Sequence, residues 1–100
     1  MSVIENIMNI PAEHEKNVFG SFDGNIKKIE RTLHVTVIAR DSQVKIIGSD
    51  VAAKRARSVF EQLIELSKRG NTITEQNVDY ALSLSYDNKE SAIVDLDDNI

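Results

Sequence analysis

Apolar and polar side chains alternate along Ile4-Glu5-Asn6-Ile7-Met8-Asn9-Ile10 until Pro11 stops the run. That period of two predicts a strand with Ile4, Met8 and Ile10 on one face and Ile7 on the other. Ala12 to Phe19 is expected to form a short helix, with Pro11 tolerated at its start and Gly20 just past its end. After the turn Gly20-Ser21-Phe22-Asp23-Gly24 the period changes. Ile26, Ile29 and Leu33 recur at spacings of three and four, which predicts a second helix to about Leu33. Asp23 stands where an N-cap carboxylate would accept backbone N–H groups, a contribution on the order of 1 kcal/mol. Val35 to Ala39 is β-branched and alternating, Arg40-Asp41-Ser42 supplies a turn, and Val44 to Ile47 returns as the second arm of a hairpin.

The longest helix is predicted over about 50–69, capped by Ser49 or Asp50. Ala52, Ala56, Val59, Phe60, Leu63 and Leu66 form its apolar stripe, and Lys54, Arg55, Glu61, Glu65 and Lys68 lie mostly off it. Lys68 and Arg69 suit its negative end, and Gly70 ends it. Thr74 opens a final helix with Ile73 and Val78 spaced as a hydrophobic staple and Val78, Ala81 and Leu82 as a narrow packing face. The period fades from about Ser83, and Tyr86 onward is expected to be a linker or frayed tail. Strand, helix, helix, strand, strand, long helix and one further helix make an α+β domain, a small antiparallel sheet with helices on one face.

One hundred residues fit one domain, which at this size buries roughly 65% of its unfolded surface. The absence of cysteine excludes disulfides, a thiolate nucleophile and Cys-based zinc sites. No apolar run approaches membrane-spanning length and no signal peptide is evident at the first residues, so the expectation is a cytoplasmic protein with no membrane partner. The net charge of −4 is unevenly spread. Residues 87–100 carry five acids and one base, whereas residues 1–86 carry eleven of each. Within the neutral part, residues 27–57 hold eight bases against three acids. The expected organisation is therefore a folded part over residues 1–86 and an acidic linker or tail over 87–100.

Val18-Phe19-Gly20-Ser21-Phe22-Asp23-Gly24-Asn25-Ile26-Lys27-Lys28-Ile29, followed by a hairpin ending Ile46-Ile47-Gly48 and a long helix, resembles a KH domain. In that family a Gly-x-x-Gly loop joins two helices, with Ile six and nine residues after the first glycine; Gly20, Ile26 and Ile29 match. The resemblance implies a type I β-α-α-β-β-α fold whose loop clamps a nucleic-acid backbone while a neighbouring apolar groove holds bases. A closer likeness is to the N-terminal domain of PhoH-like proteins. Phe19-Gly20-Ser21-Phe22-Asp23-Gly24-Asn25 resembles that family's Phe-Gly-x-Phe-Asp-x-Asn helix start, and Gly70-Asn71-Thr72-Ile73-Thr74 is similar to the step before its last helix. This covers about residues 4–84. PhoH-like proteins continue into a P-loop ATPase domain, but no Gly-x4-Gly-Lys-Ser/Thr occurs here. The resemblance therefore implies a truncated N-terminal fragment without a cofactor of its own, ATP and Mg being expected only for the missing domain.

The candidate nucleic-acid-binding residues are Gly20, Ser21, Phe22, Asp23, Lys27, Lys28 and Arg40, with single-stranded RNA as the expected ligand. Bases would lie toward Thr36, Ile38 and Arg40. Where KH loops carry a second glycine this chain has Asp23, which can occupy the helix N–H donors itself and places a negative charge beside any phosphate. Phe22 either staples the turn from inside or stacks on a base. Lys27, Lys28 and Arg31 either neutralise phosphates or form a solvated face. Lys54, Arg55 and Arg57 are a weaker basic patch.

A second reading takes the chain as an assembly domain. Ile7, Ile38 and Ile47 alternate away from the helix-covered face and form an interface with the ATPase domain of the parent chain or with a second copy in a homo-oligomer, unless the last helix covers them. A third treats the last two helices as a DNA-reading pair, although Glu75 and Asp79 beside Gln76 and Asn77 oppose entry into a groove. Catalysis by this chain is not expected. His14 and His34 are placed on the surface, and neither a metal-ligand spacing nor a nucleophile elbow is present.

Overall fold

The computed structural model describes residues 2–86; the tail expected over 87–100 lies outside the described residues. Strand β1 (Val3–Asn9) leads through a 3-10 turn (Ala12–His14) into the short helix α1 (Glu15–Phe19). A second 3-10 turn (Ser21–Asp23) precedes helix α2 (Gly24–Leu33). Strands β2 (Thr36–Arg40) and β3 (Gln43–Ser49) follow, then the long helix α3 (Asp50–Lys68) and helix α4 (Glu75–Tyr86).

The three strands form one antiparallel sheet in the order β1-β3-β2. This is the KH-like β-α-α-β-β-α arrangement with one additional helix. Arg40 pairs with Gln43, so the hairpin closes on two residues, Asp41 and Ser42, with φ of 54° and 60°. Positive φ at both positions is the turn whose twist matches the flanking strands.

Met8 and Ile10 of the first segment, Val44 and Ile46 of β3, and Ile26, Ile29 and Leu33 of α2 enter one core with Val18 and Phe19 of α1. Helix α3 supplies its centre, with Ala53, Ala56, Val59, Phe60 and Leu63 fully buried. More of α3 is buried than the single apolar stripe predicts: Ser58, Gln62 and Ser67 are also inside. Ser67 is met by His14 and Asn17, whose side chains reach its hydroxyl, and α4 packs on α3 and α2 with no strand in backbone proximity. Its own inward side chains are Val78, Ala81, Leu82, Leu84 and Ser85. The helix therefore runs past the fade at Ser83 to Tyr86, because Leu84 closes a second small cluster with Leu66 and Ile73.

The helix ends are built as their sequences require. Ser49 Oγ accepts the Ala52 N–H at 3.2 Å and so caps α3. At the other end Gly70 takes φ 92°, its N–H donates to Ser67 O, and the Asn71 N–H donates to Leu66 O. That left-handed closure terminates α3. Thr74 and Asn77 cap α4 reciprocally: Asn77 N–H donates to Thr74 Oγ1 at 3.2 Å, and Thr74 N–H to Asn77 Oδ1 at 2.9 Å.

Candidate nucleic-acid interface

The loop between α1 and α2 is held in a conformation that few residues adopt freely. Gly20 has φ 79° and ψ 173°, a region open to glycine. A Cβ there would lie 3.0 Å from Asn25 Cγ and Nδ2. The Asn25 side chain is fixed in turn, donating to Val18 O at 2.9 Å across the loop. Phe22 and Asp23 follow with φ of 54° and 56°. Left-handed backbone at two successive non-glycine residues stores strain, and such strain collects at functional sites.

The consequence for Phe22 is a correction to the buried staple that the turn admits. Its side chain is 94% exposed, because the left-handed backbone turns the ring out of the core. It borders a cleft of about 430 Å³ lined by Glu15, Lys16, Phe19, Gly20, Ser21 and Asp23 as well.

Asp23 stands at the N-cap position of α2, but its carboxylate accepts no N–H of the helix. A left-handed φ of 56° replaces the extended backbone from which an N-cap side chain normally reaches back. The capping expected of Asp23 is therefore absent. The objection that it occupies the phosphate-binding donors goes with it, and its charge remains. Gly24 beside it is exposed, with open space where a Cβ would stand.

The basic residues are separated by their partners. Lys27 is exposed and makes no ion pair among the described residues. Lys28 turns the other way, toward α4. Its ammonium lies 2.9 Å from Glu75 Oε2 and pairs with Asp79 as well, and its side chain is only 23% exposed. Hydrogen bonding to Asp79 and then to Glu75 raises its pKa above the ordinary lysine value of 10.5. The patch on α3 is similarly divided. Lys54 pairs with Asp50, Arg57 with Glu61, and Arg55 lies over the Tyr86 ring at 4.6 Å.

Arg40 is not brought to the loop. Thr36, Ile38 and Arg40 alternate onto the sheet face opposite the helices, where Glu5-Ile47-Thr36 and Ile7-Lys45-Ile38 form cross-strand rows. Arg40 instead joins Ile7, Ile38, Asp41, Gln43 and Lys45 around a hollow of about 230 Å³. On the helix side β2 presents Val37, which packs on the core. A groove running from the loop to Thr36, Ile38 and Arg40 is thus not assembled.

Ile7, Ile38 and Ile47 do share the open face. Ile7 and Ile38 are exposed and Ile47 is half-buried, with the exposed Val3 on the same side. Helix α4 does not cover them. His14, expected on the surface, is half-buried, with Nδ1 2.7 Å from Ser67 Oγ.

Sequence reasoning passed over Lys16 and Glu15 of the cleft. Lys16 is four residues before Gly20, and one helical turn of α1 would have placed it there. It also passed over Glu30, whose carboxylate accepts the Val37 N–H at 2.8 Å on the outer edge of β2. No local pattern marks that contact.

The sequence is similar to a PhoH-like protein of Bacillus subtilis (strain 168). Identity is 27% over 73 residues, which are 73% of this chain and 23% of that protein. This supports a PhoH-like relationship. The chain spans about a quarter of the length of the PhoH-like relative it matches. In fold it is similar to a crystal structure of a protein of unknown function from Aeropyrum pernix, with a TM-score of 0.67 and 14% identity. The superposition covers 98% of this chain and 55% of that one. No protein-family model matches the chain.

Proposed function

We propose that the chain is a KH-like nucleic-acid-binding module of a PhoH-like protein, holding single-stranded RNA at the α1–α2 loop for an ATPase domain elsewhere in the parent chain. The observation that carries this reading is Phe22: an almost fully exposed aromatic ring on a left-handed backbone, at the rim of the loop cleft. Leaving such a ring in water forfeits its burial, and a base stacked on it restores an apolar contact without demanding a sequence. Gly24 leaves the first turn of α2 open to a phosphate, and Lys27 and Lys16 flank it with positive charge. Asp23 opposes this with its own charge, so affinity is expected to be modest and steeply salt-dependent.

Fluorescence anisotropy with a labelled single-stranded RNA in low salt tests the reading. Binding should weaken by about 1–3 kcal/mol on Phe22→Ala, the usual worth of a base–aromatic stack, and should also weaken on Lys27→Glu. No binding at high micromolar protein, or an unchanged affinity in Phe22→Ala, would refute it.

The open sheet face favours a second reading, in which the module docks on the ATPase domain or on a second copy through Ile7, Ile38 and Ile47. Light scattering separates the two forms of it. A dimer dissociated by Ile38→Lys supports self-association, and a monomer unaffected by that change counts against it.

A further inference from the structure

We propose that α4 carries a built-in competitor for phosphate: the Glu75 and Asp79 carboxylates hold the Lys28 ammonium and thereby set the affinity of the loop for nucleic acid. This inference rests on the nucleic-acid reading above and adds its regulation.

Lys28 is one helical turn beyond Gly24 on α2, the position from which a lysine extends most readily toward a phosphate at the helix start. It is nevertheless directed to the other side, between two carboxylates of a helix that stands outside the β-α-α-β-β-α order. Two negative groups on one positive group leave that flank of α2 with a net negative charge. A phosphate arriving at Lys28 must therefore displace both carboxylates and then remain beside them.

The competitor is positioned, not incidental. Val78, Ala81 and Leu82 anchor α4 in the core, the Thr74–Asn77 caps fix its first turn, and the Tyr86 hydroxyl donates to Thr32 O of α2 at 3.3 Å. Glu75 and Asp79 themselves remain exposed, at 79% and 54%. Exchange between the closed and open arrangements thus needs only side-chain rotation, with the α4 backbone in place. The raised pKa of Lys28 agrees with an ammonium already supplied with anionic partners. In the closed arrangement Lys27 and Lys16 are the cations left to the ligand.

The test is a double-mutant cycle in RNA binding, read by anisotropy across a salt series, with Glu75→Gln/Asp79→Asn as one arm and Lys28→Gln as the other. The neutralised variant should bind about five- to tenfold tighter at low salt, with a salt slope steeper by roughly one, the value of one added phosphate contact. Lys28→Gln should cancel that gain, costing the neutralised variant more affinity than it costs the parent chain. Circular dichroism confirms that each variant keeps the fold, and Glu75→Gln alone provides a milder arm. An unchanged affinity in the neutralised variant overturns the inference and leaves the RNA reading standing. An equal loss from Lys28→Gln in both backgrounds overturns it as well, because Lys28 would then already contact the ligand. Absence of RNA binding by every variant refutes the reading and the inference together.

Discussion

The Glu30 carboxylate accepts the backbone N–H of Val37 at 2.8 Å, so a side chain of α2 closes part of the free edge of β2. An edge strand otherwise offers its donors to any passing chain or base. A charge-assisted bond of this kind is worth about 1.5–3 kcal/mol. Glu30→Ala is therefore expected to lower stability by about that amount in urea denaturation, and Glu30→Gln by less, since its amide oxygen can still accept. A larger loss from Gln than from Ala would contradict the assignment.

Asn17 is the second side chain that ties distant segments together. It donates to Ser67 Oγ and to Asn71 O, both at 2.8 Å, and accepts the Ile73 N–H at 2.9 Å. One residue of α1 thus fixes the link between α3 and α4. Removing it in Asn17→Ala leaves the Asn71 carbonyl and the Ile73 N–H without that partner, at a cost of about 2–3 kcal/mol, while Ser67 Oγ keeps His14 Nδ1. Hydrogen exchange should show the Ile73 amide losing protection.

Gly48 has an ordinary backbone but no room. A Cβ there would stand 2.9 Å from Val35 Cγ1, and Val35 is buried in the core. Gly48→Ala should destabilise by about 1–3 kcal/mol, the usual cost of overpacking. Val35→Ala made in the same chain should return part of it. Strictly additive losses in the double variant would show that the two positions do not share that space.

Gln62 is buried in α3. Its Nε2 donates to Ser58 Oγ at a long 3.4 Å, and its Oε1 has no partner among the described residues. An unsatisfied buried acceptor costs about 1–3 kcal/mol. Gln62→Met, close in volume and free of that acceptor, is expected to raise the melting temperature by a few degrees. A fall would mean that the oxygen finds a partner in solution.

The ion pairs of Lys28 give a pH dependence of definite sign. Because the folded-state pKa is raised, the pair contributes fully below the ordinary value of 10.5, provided both carboxylates are ionised, and the contribution is lost as pH rises through the raised value. The difference in stability between the parent chain and Lys28→Gln should thus be constant around neutrality and shrink only in the alkaline range. Denaturation curves at neutral pH and above pH 10.5 check this; a difference that grew with alkalinity would reverse the sign.

Much of the fold was legible because local signals agreed with one another. The period-two run before Pro11, the Ile26-Ile29-Leu33 spacing and the Ser49 and Gly70 boundaries each specify an element without help from the rest. What stayed hidden depends on contacts between segments far apart in sequence. Leu84 carries α4 to Tyr86 because Leu66 and Ile73 are waiting for it. Asp23 and Phe22 misled for a common reason: their left-handed backbone reverses the usual roles of a capping acid and a turn aromatic. A base groove toward Thr36, Ile38 and Arg40 is the expectation, although alternation from Val37 sends these three to the face opposite the helices. Sequence located the loop between α1 and α2 but not the partners that claim Lys28.

The backbone of α4 lies against α3 and α2 and that of β1 and β3 against α3, while side chains of α4 and of the sheet join one core. A core shared in this way is expected to melt as one unit. Binding energy gained at the loop is therefore distributed through α3, so a ligand that meets only α1 and α2 should slow amide exchange in α4 and in β1 alike.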